Sequence, residues 1–367
     1  MKDQKCEISK STMTSNNKIV WMEALRIVSA FGIILAHIAS NIVWDYPTDQ
    51  GYWKVASVYH TLPRFGVCCF VMISGAIFLD PNREFTAKKL WGKYIKRIIT
   101  IFALWSVVYI IAWFNDNYGA TFKESGWGAI KNDVIREFFQ GHFHMWYLFL
   151  AVSLYIATPL LKEIVKNKKA TEYIIVLGII FCFVPTMLQR CSVISEIKDV
   201  YLKGATVLYF SNGYLVYFLL GHYLSTYEIP KKTRNVIYTL GILGLIYAII
   251  FGIVFSVKDG ELVEVAYDNA SLNILFYSVA TFVFFKYRQS KFIERHAKLI
   301  CTVSSCTLGI YLMHVLFTHR LTVPFVELLG LNNIWLSLPL LTLFVFTVSF
   351  AITYLLRKIP FMKKYFI

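Results

Sequence analysis

Ten apolar runs succeed one another along the chain, separated by polar or charged connectors. They are Trp21–Val43, Val55–Leu79, Tyr94–Phe114, Met145–Val165, Ile174–Leu188, Val207–Ser225, Val236–Val257, Leu272–Tyr287, Thr302–Phe325 and Ile334–Leu356. A helix needs about 17–25 apolar residues to cross a hydrocarbon core about 30 Å thick, and most of these runs have that length. Ile174–Leu188 and Leu272–Tyr287 are shorter. A membrane-spanning strand would alternate apolar and polar residues over about ten positions, whereas these runs are continuous. The pattern predicts an all-α polytopic membrane protein with about ten transmembrane helices. Residues 21–357 form the membrane domain, and residues 1–20 and 358–367 are its tails.

The connectors set the orientation. Of the 37 Lys and Arg residues, 26 fall in residues 1–20, 80–97, 162–173, 226–235, 286–301 and 357–367. Nine fall on the other side of the membrane, and Arg26 and Arg64 lie inside runs. Basic connectors stay in the cytoplasm, so both termini are expected inside. The longest outer connector, about 115–144, is balanced in charge and rich in Trp, Phe and Gly, which suits an interfacial helix.

Composition narrows the class. The chain of 367 residues is 57% hydrophobic and 16% charged, against about 45–50% and about 25% in soluble domains. Soluble multidomain, disordered, collagen-like and nucleic-acid-binding readings are excluded. The net charge of +15 belongs to basic loops rather than to a nucleic-acid surface. Seven cysteines, Cys6, Cys68, Cys69, Cys182, Cys191, Cys301 and Cys306, include no CxxC pair and read as small hydrophobes. Residues 1–20 are polar, so the first run reads as a span and not as a signal peptide.

The chemistry lies in ionisable groups inside the greasy runs, where charge is costly and faces a cavity or a partner. In the first run, Arg26 and His37 are eleven residues apart, about three helical turns, so they share one face. Glu23 is one turn from Arg26 and can hold its guanidinium. Arg64 lies deep in the second run, above Ser74 and Gly75, a pair suited to close helix approach. The third run begins with Lys93, Lys96 and Arg97, either snorkelling residues or a phosphate site. His142, His144, Trp146 and Tyr147 open the fourth run. Tyr311 and His314 are three apart in the ninth, and His319 and Arg320 follow. His222 in the sixth run reads as structural. HxH is too short a signal for a metal site, so no metal is expected.

No Walker, GxSxG, HExxH or GxGxxG motif in a dinucleotide context is present. What the chain does resemble is the membrane acyltransferase-3 family, and within it the surface-polysaccharide O-acetyltransferases. LRIVSAFGIILAH is similar to the family's Arg-x10-His signature at Arg26 and His37. RFGVCCFVMISGAIFL resembles its second-helix motif at Arg64, Phe70, Ser74 and Gly75. KRIITIFALWS resembles its basic third helix at Lys96 and Arg97, and HMWYL its fourth-helix block at His144, Trp146 and Tyr147. YFLLGHYL and SSCTLGIYLMH resemble two later blocks. Cys68 and the neighbourhood of Ile101 depart from the family, which usually carries proline there.

The resemblance implies an O-acyltransferase of the bacterial cytoplasmic membrane, with no bound cofactor and acetyl-CoA or a similar acyl-CoA as co-substrate. Its acceptor would be a hydroxyl of a surface or lipid-linked glycan, and the lipid bilayer its other partner. His37, Arg26 and Glu23 are expected to be catalytic. Arg64, Lys96, Arg97, Ser74, His144, Trp146, Tyr147, Tyr311 and His314 are expected to bind donor or acceptor. The competing reading is a transporter of a small polar substrate that uses the same His/Arg cavity.

Overall fold

The computed structural model describes residues 13–14, 18–187, 213–288 and 291–367. Among the described residues the regular structure is helical, apart from a two-residue antiparallel pair between Met13–Thr14 and Lys18–Ile19. Among the described residues, eight helices are long and apolar enough to cross a membrane, or nine if a bent pair counts as one span. The chain is therefore a multi-pass membrane protein. Most of the sixth run's first half falls outside the described residues, which begin again at Gly213.

The first span is α1, Val20–Asp45. The second is in two pieces, α2 at Gly51–Thr61 and α3 at Phe65–Phe78. The single helix expected over Val55–Leu79 is thus interrupted. Pro63 stands at the break, where it lacks an N–H and crowds the preceding turn. The break packs on α1 at Gly32, where an added Cβ would strike Pro63. Next come a π-helical turn, Leu90–Ile95, and α4, Lys96–Ser125. The expected interfacial segment continues α4 and then forms a separate helix, α5, at Trp127–Gln140.

After these come α6 at Trp146–Val165, α7 at Lys168–Gly178, α8 at Tyr214–Thr226, α9 at Lys231–Asp259 and α10 at Leu272–Tyr287. The ninth run is three helices rather than one: α11 at Ala297–Ser304, α12 at Thr307–Met313 and α13 at Val315–Leu329. The last span is α14, Ile334–Leu356. A short helix at Pro360–Tyr365 follows it.

On α9 small residues point inward and large apolar ones point outward. The buried positions are Gly241, Gly244, Ala248, Gly252 and Ser256, while Ile242, Leu243, Ile246, Ile250 and Val254 are exposed. Lipid is as apolar as leucine, so burying Leu gains nothing and close backbone packing decides which face turns inward. The stripe on α9 packs against α10. A Cβ on Gly244 would meet the Asn273 carbonyl. The crossing of α3 and α8 is tighter still. Gly75 lies against the Phe218 carbonyl and Gly221 against the Met72 carbonyl, so neither position has room for a side chain. Of the cysteines, Cys68, Cys69, Cys182 and Cys306 are buried thiols.

Among the described residues, three apolar clusters form the core. One joins α3, α8 and α10, a second joins the latter half of α1 to α2 and α14, and a third joins α4, α6 and α12. The cavities described next lie between α1, α3, α6 and α12.

Candidate active site

Two cavities lie end to end. The larger, of about 320 Å³, is lined by Arg26, Phe70, Ser74, Arg97, Tyr155 and Ser305, among others. The smaller, of about 140 Å³, is lined by His37, Ser40, His60, Arg64, Trp146 and Asn269. Ile33, Val67, Tyr147 and Tyr311 line both, so they form the throat between them. The Tyr147 and Tyr311 rings meet there edge to face, with centroids 5.8 Å apart. The eleven-residue spacing of Arg26 and His37 therefore places one in each chamber, on a single face of α1.

Glu23 does not line either chamber. Its Oε2 accepts from Arg26 Nη1 at 2.8 Å and also from the Ser304 hydroxyl of α11. This carboxylate is buried and holds the guanidinium toward the larger chamber. Glu23 thereby supports Arg26 rather than touching the cavity contents.

His37 is held by the broken ninth span. Its Nδ1 lies 2.8 Å from Nε2 of His314, with the rings stacked at 5.0 Å between centroids. His314 stands between α12 and α13, which are bent by 56°. Two carbonyls at this bend take side-chain donors. Tyr311 O accepts from His314 Nδ1 at 2.6 Å, and Leu312 O accepts from the Tyr109 hydroxyl at 2.7 Å. A side chain inserted into the helix ladder is a recognised cause of a kink, and these bonds keep the freed carbonyls satisfied.

The pairing settles the tautomers of neutral rings. A carbonyl only accepts, so His314 carries its proton on Nδ1 and presents a lone pair at Nε2. His37 must then donate from Nδ1, which leaves the lone pair of its own Nε2 free to take a proton. The His37 carbonyl accepts from Ser40 Oγ at 2.7 Å and from Asn41 Nδ2 at 3.2 Å, and Asn41 also reaches Thr322 Oγ1 at 3.2 Å.

Arg64 follows Pro63 at the break between α2 and α3. Its Nη2 contacts both ring nitrogens of His60, one turn earlier, and its guanidinium lies 5.6 Å from the centre of the Tyr267 ring. It lines the smaller chamber as a cation held by rings. His144 takes a different place from the one expected. It is buried behind the throat, its carbonyl accepting from the Tyr311 hydroxyl and its ring edge-on to His314 at 5.5 Å. It supports the wall and does not line a chamber. His142 sits beside it, Nδ1 to Nδ1 at 3.2 Å.

Beyond Arg97 opens a basic vestibule of about 670 Å³, lined by Lys93, Lys96, Arg97, Arg357, Lys363 and Lys364. Arg97 lines both this vestibule and the larger chamber. The last residues are docked against it. Arg97 Nη2 donates to Ile367 O at 2.6 Å, and Trp105 Nε1 donates to Phe366 O at 2.9 Å.

The acyltransferase-domain family matches residues 19–357, nearly the whole chain. The chain belongs to the acyltransferase-3 family. No curated protein and no solved structure matches it. In this acyltransferase the residues singled out in sequence converge: His37, Arg64, Trp146, Tyr147 and Tyr311 in one chamber, and Arg26, Ser74 and Arg97 in the next. Lys96 lies in the vestibule, and His314 bonds the His37 ring. Among the residues of the site that were not anticipated are His60, Ser304 and Asn269. His60 had a signal, an imidazole one turn before a buried arginine. Ser304 is one serine of the SSCTLGIYLMH block. Asn269 lies in a connector with no pattern to mark it.

Proposed function

We propose that this acyltransferase moves an acetyl or similar short acyl group from acyl-CoA to a hydroxyl of a surface or lipid-linked glycan. The basic-connector bias supports an orientation with both termini in the cytoplasm, so the vestibule would open on the cytosolic side. Its lysines and arginines suit the phosphates of a CoA donor. The acyl thioester would lie through the larger chamber and reach the Tyr147–Tyr311 throat.

In this reading His37 is the general base. The acceptor hydroxyl attacks the thioester carbonyl while its proton passes to His37 Nε2. A C–O bond forms, and the carbonyl becomes an oxyanion that Arg64 stabilises. As the intermediate collapses, the C–S bond breaks and the thiolate recovers the proton from His37. A positioned base of this kind is worth about 10²–10⁴-fold in rate. Arg26, held by Glu23, would neutralise donor charge in the larger chamber.

The observation that carries the reading is the hydrogen-bonded chain from Tyr311 O through His314 to His37, which leaves one basic nitrogen in a chamber that adjoins the larger chamber, whose Arg97 also lines the cationic vestibule. The test is acetyl-CoA thiol release and acyl transfer to glycans by purified protein in lipid discs, with no gradient applied. Transfer that is lost in His37→Ala is expected. Transfer unaffected by that substitution, or none by the unsubstituted protein, rejects the proposal.

A further inference from the structure

The arginines of the two chambers are held in opposite ways. Arg26 is paired with the buried Glu23 carboxylate. Arg64 forms no ion pair among the described residues, although Glu264 and Asp268 lie in a connector packed near it. Two rings hold its guanidinium instead. Nη2 contacts the His60 ring, and the guanidinium carbon lies over the face of Tyr267, 5.6 Å from the ring centre. Arginine only donates, so the His60 nitrogen that it bonds carries a lone pair, and that ring is neutral. The His60 and Tyr267 rings meet edge to face at 5.2 Å between centroids.

Tyr267 is itself fixed. It ends the 3-10 turn Glu264–Tyr267, in the connector between α9 and α10, and is 2% exposed. Its hydroxyl lies 2.9 Å from Ser57 Oγ of α2. Gly252 of α9 leaves room for it, since an added Cβ there would strike that hydroxyl. The turn is fastened on both sides. Val263 N–H donates to Ser256 Oγ at 2.9 Å, and Asn273 Nδ2 donates to the Ala266 carbonyl at 3.0 Å. Tyr267 does not line the chamber, whereas Arg64 and His60 do.

We infer that Tyr267 is a positioning residue for Arg64, its ring face holding the guanidinium at the chamber wall without neutralising it. A carboxylate in that place would make an ion pair of no net charge, and a developing oxyanion would have to compete with it. A ring quadrupole attracts the cation and leaves its charge intact. Stabilising an oxyanion depends on such a charge being oriented beforehand in a site screened from water. The inference rests on the oxyanion role proposed for Arg64 above, and it adds a residue from outside the motifs read in the sequence.

The test uses full-length protein in lipid discs, with acetyl-CoA as donor and methyl glycopyranosides as acceptors, and reads kcat and KM separately. Arg64→Gln should lower kcat by about 10²–10³-fold. Tyr267→Leu should lower it by at least about tenfold with little change in KM for acetyl-CoA, and Tyr267→Phe, which keeps the ring face, should recover most of the loss. In the Arg64→Gln background, Tyr267→Leu should cost no more than about twofold further, because residues that act as one are not additive. Mono-, di- and trifluorinated phenylalanine at position 267 drain the ring face of electron density at almost constant volume, so kcat should fall with each fluorine. A flat fluorine series overturns the positioning role, and that measurement stands even if Tyr267→Leu does not accumulate. Full kcat in a folded Tyr267→Leu protein, or a loss undiminished in the Arg64→Gln background, overturns it as well. Those outcomes leave acyl transfer and the role of Arg64 standing. Full kcat in Arg64→Gln, or no CoA thiol release by the unsubstituted protein, instead removes the reading of Arg64 and the role of Tyr267 with it.

Discussion

The Nδ1 atom of His37 and the Nε2 atom of His314 lie 2.8 Å apart, although 277 residues separate them in the chain. The bond joins the first span to the break in the ninth. It places an oriented imidazole in a chamber that also holds Arg64, and under the proposed function it would make His314 a positioning residue for His37.

Replacing His37 by Ala or Gln removes the proposed base. The turnover number for acyl transfer should fall by about 10²–10⁴-fold while the protein still inserts and accumulates. Thiol release from acetyl-CoA in the presence of glycan measures it, and a folded variant with the full rate would exclude His37 as the base.

His314 can be separated from a merely structural role by comparing two variants. Gln offers a carbonyl oxygen that can accept the His37 Nδ1–H, whereas Leu cannot. His314→Leu is expected to lose at least about tenfold in kcat with little change in KM, because the imidazole loses its orienting partner. His314→Gln should recover part of the loss. Equal kcat values in the two variants would show that the bond has no positioning role.

Glu23 and Arg26 should fail in different ways. Arg26→Lys loses the planar multi-donor head and should raise KM for the donor. Glu23→Ala leaves Arg26 without its carboxylate and Ser304 without its acceptor. The cost to stability should be larger, about 3–5 kcal/mol for breaking a buried pair. Denaturation in detergent and donor titration distinguish the two. A Glu23→Ala protein as stable as the unsubstituted one would show that the pair carries no such load.

The α3–α8 crossing has no tolerance at its glycines. Gly75→Val places its side chain on the Phe218 carbonyl and should destabilise the fold by at least about 1–3 kcal/mol, visible as a loss of folded yield. Gly92→Ala, where an added Cβ meets nothing within 4 Å, is the control. Equal yields would mean that the two helices can separate without penalty.

The vestibule should respond to charge. Reversing Lys363 and Lys364 to Glu is expected to raise KM for acetyl-CoA and to flatten its dependence on salt, since exposed charges are screened within about 10 Å at 0.1 M ionic strength. Unchanged donor affinity across a salt titration would argue that the donor's phosphates bind elsewhere.

Much of this protein is local in origin. The all-helical membrane fold follows from continuous apolar runs, because a backbone in lipid must satisfy its own hydrogen bonds. Arg26, His37 and Arg64 stand out in sequence because charge and imidazole are costly there. Their helical spacing is enough to put Arg26 and His37 on one face. Tertiary structure decided the rest. The interruptions at Pro63 and His314, the partnership of Glu23 with Ser304, the retreat of His144 behind the throat and the arrival of Asn269 in the chamber all depend on groups distant in sequence. Hydrogen bonds between spans are short-ranged and depend on angle, so no periodicity within one span encodes which side chain of another will complete them.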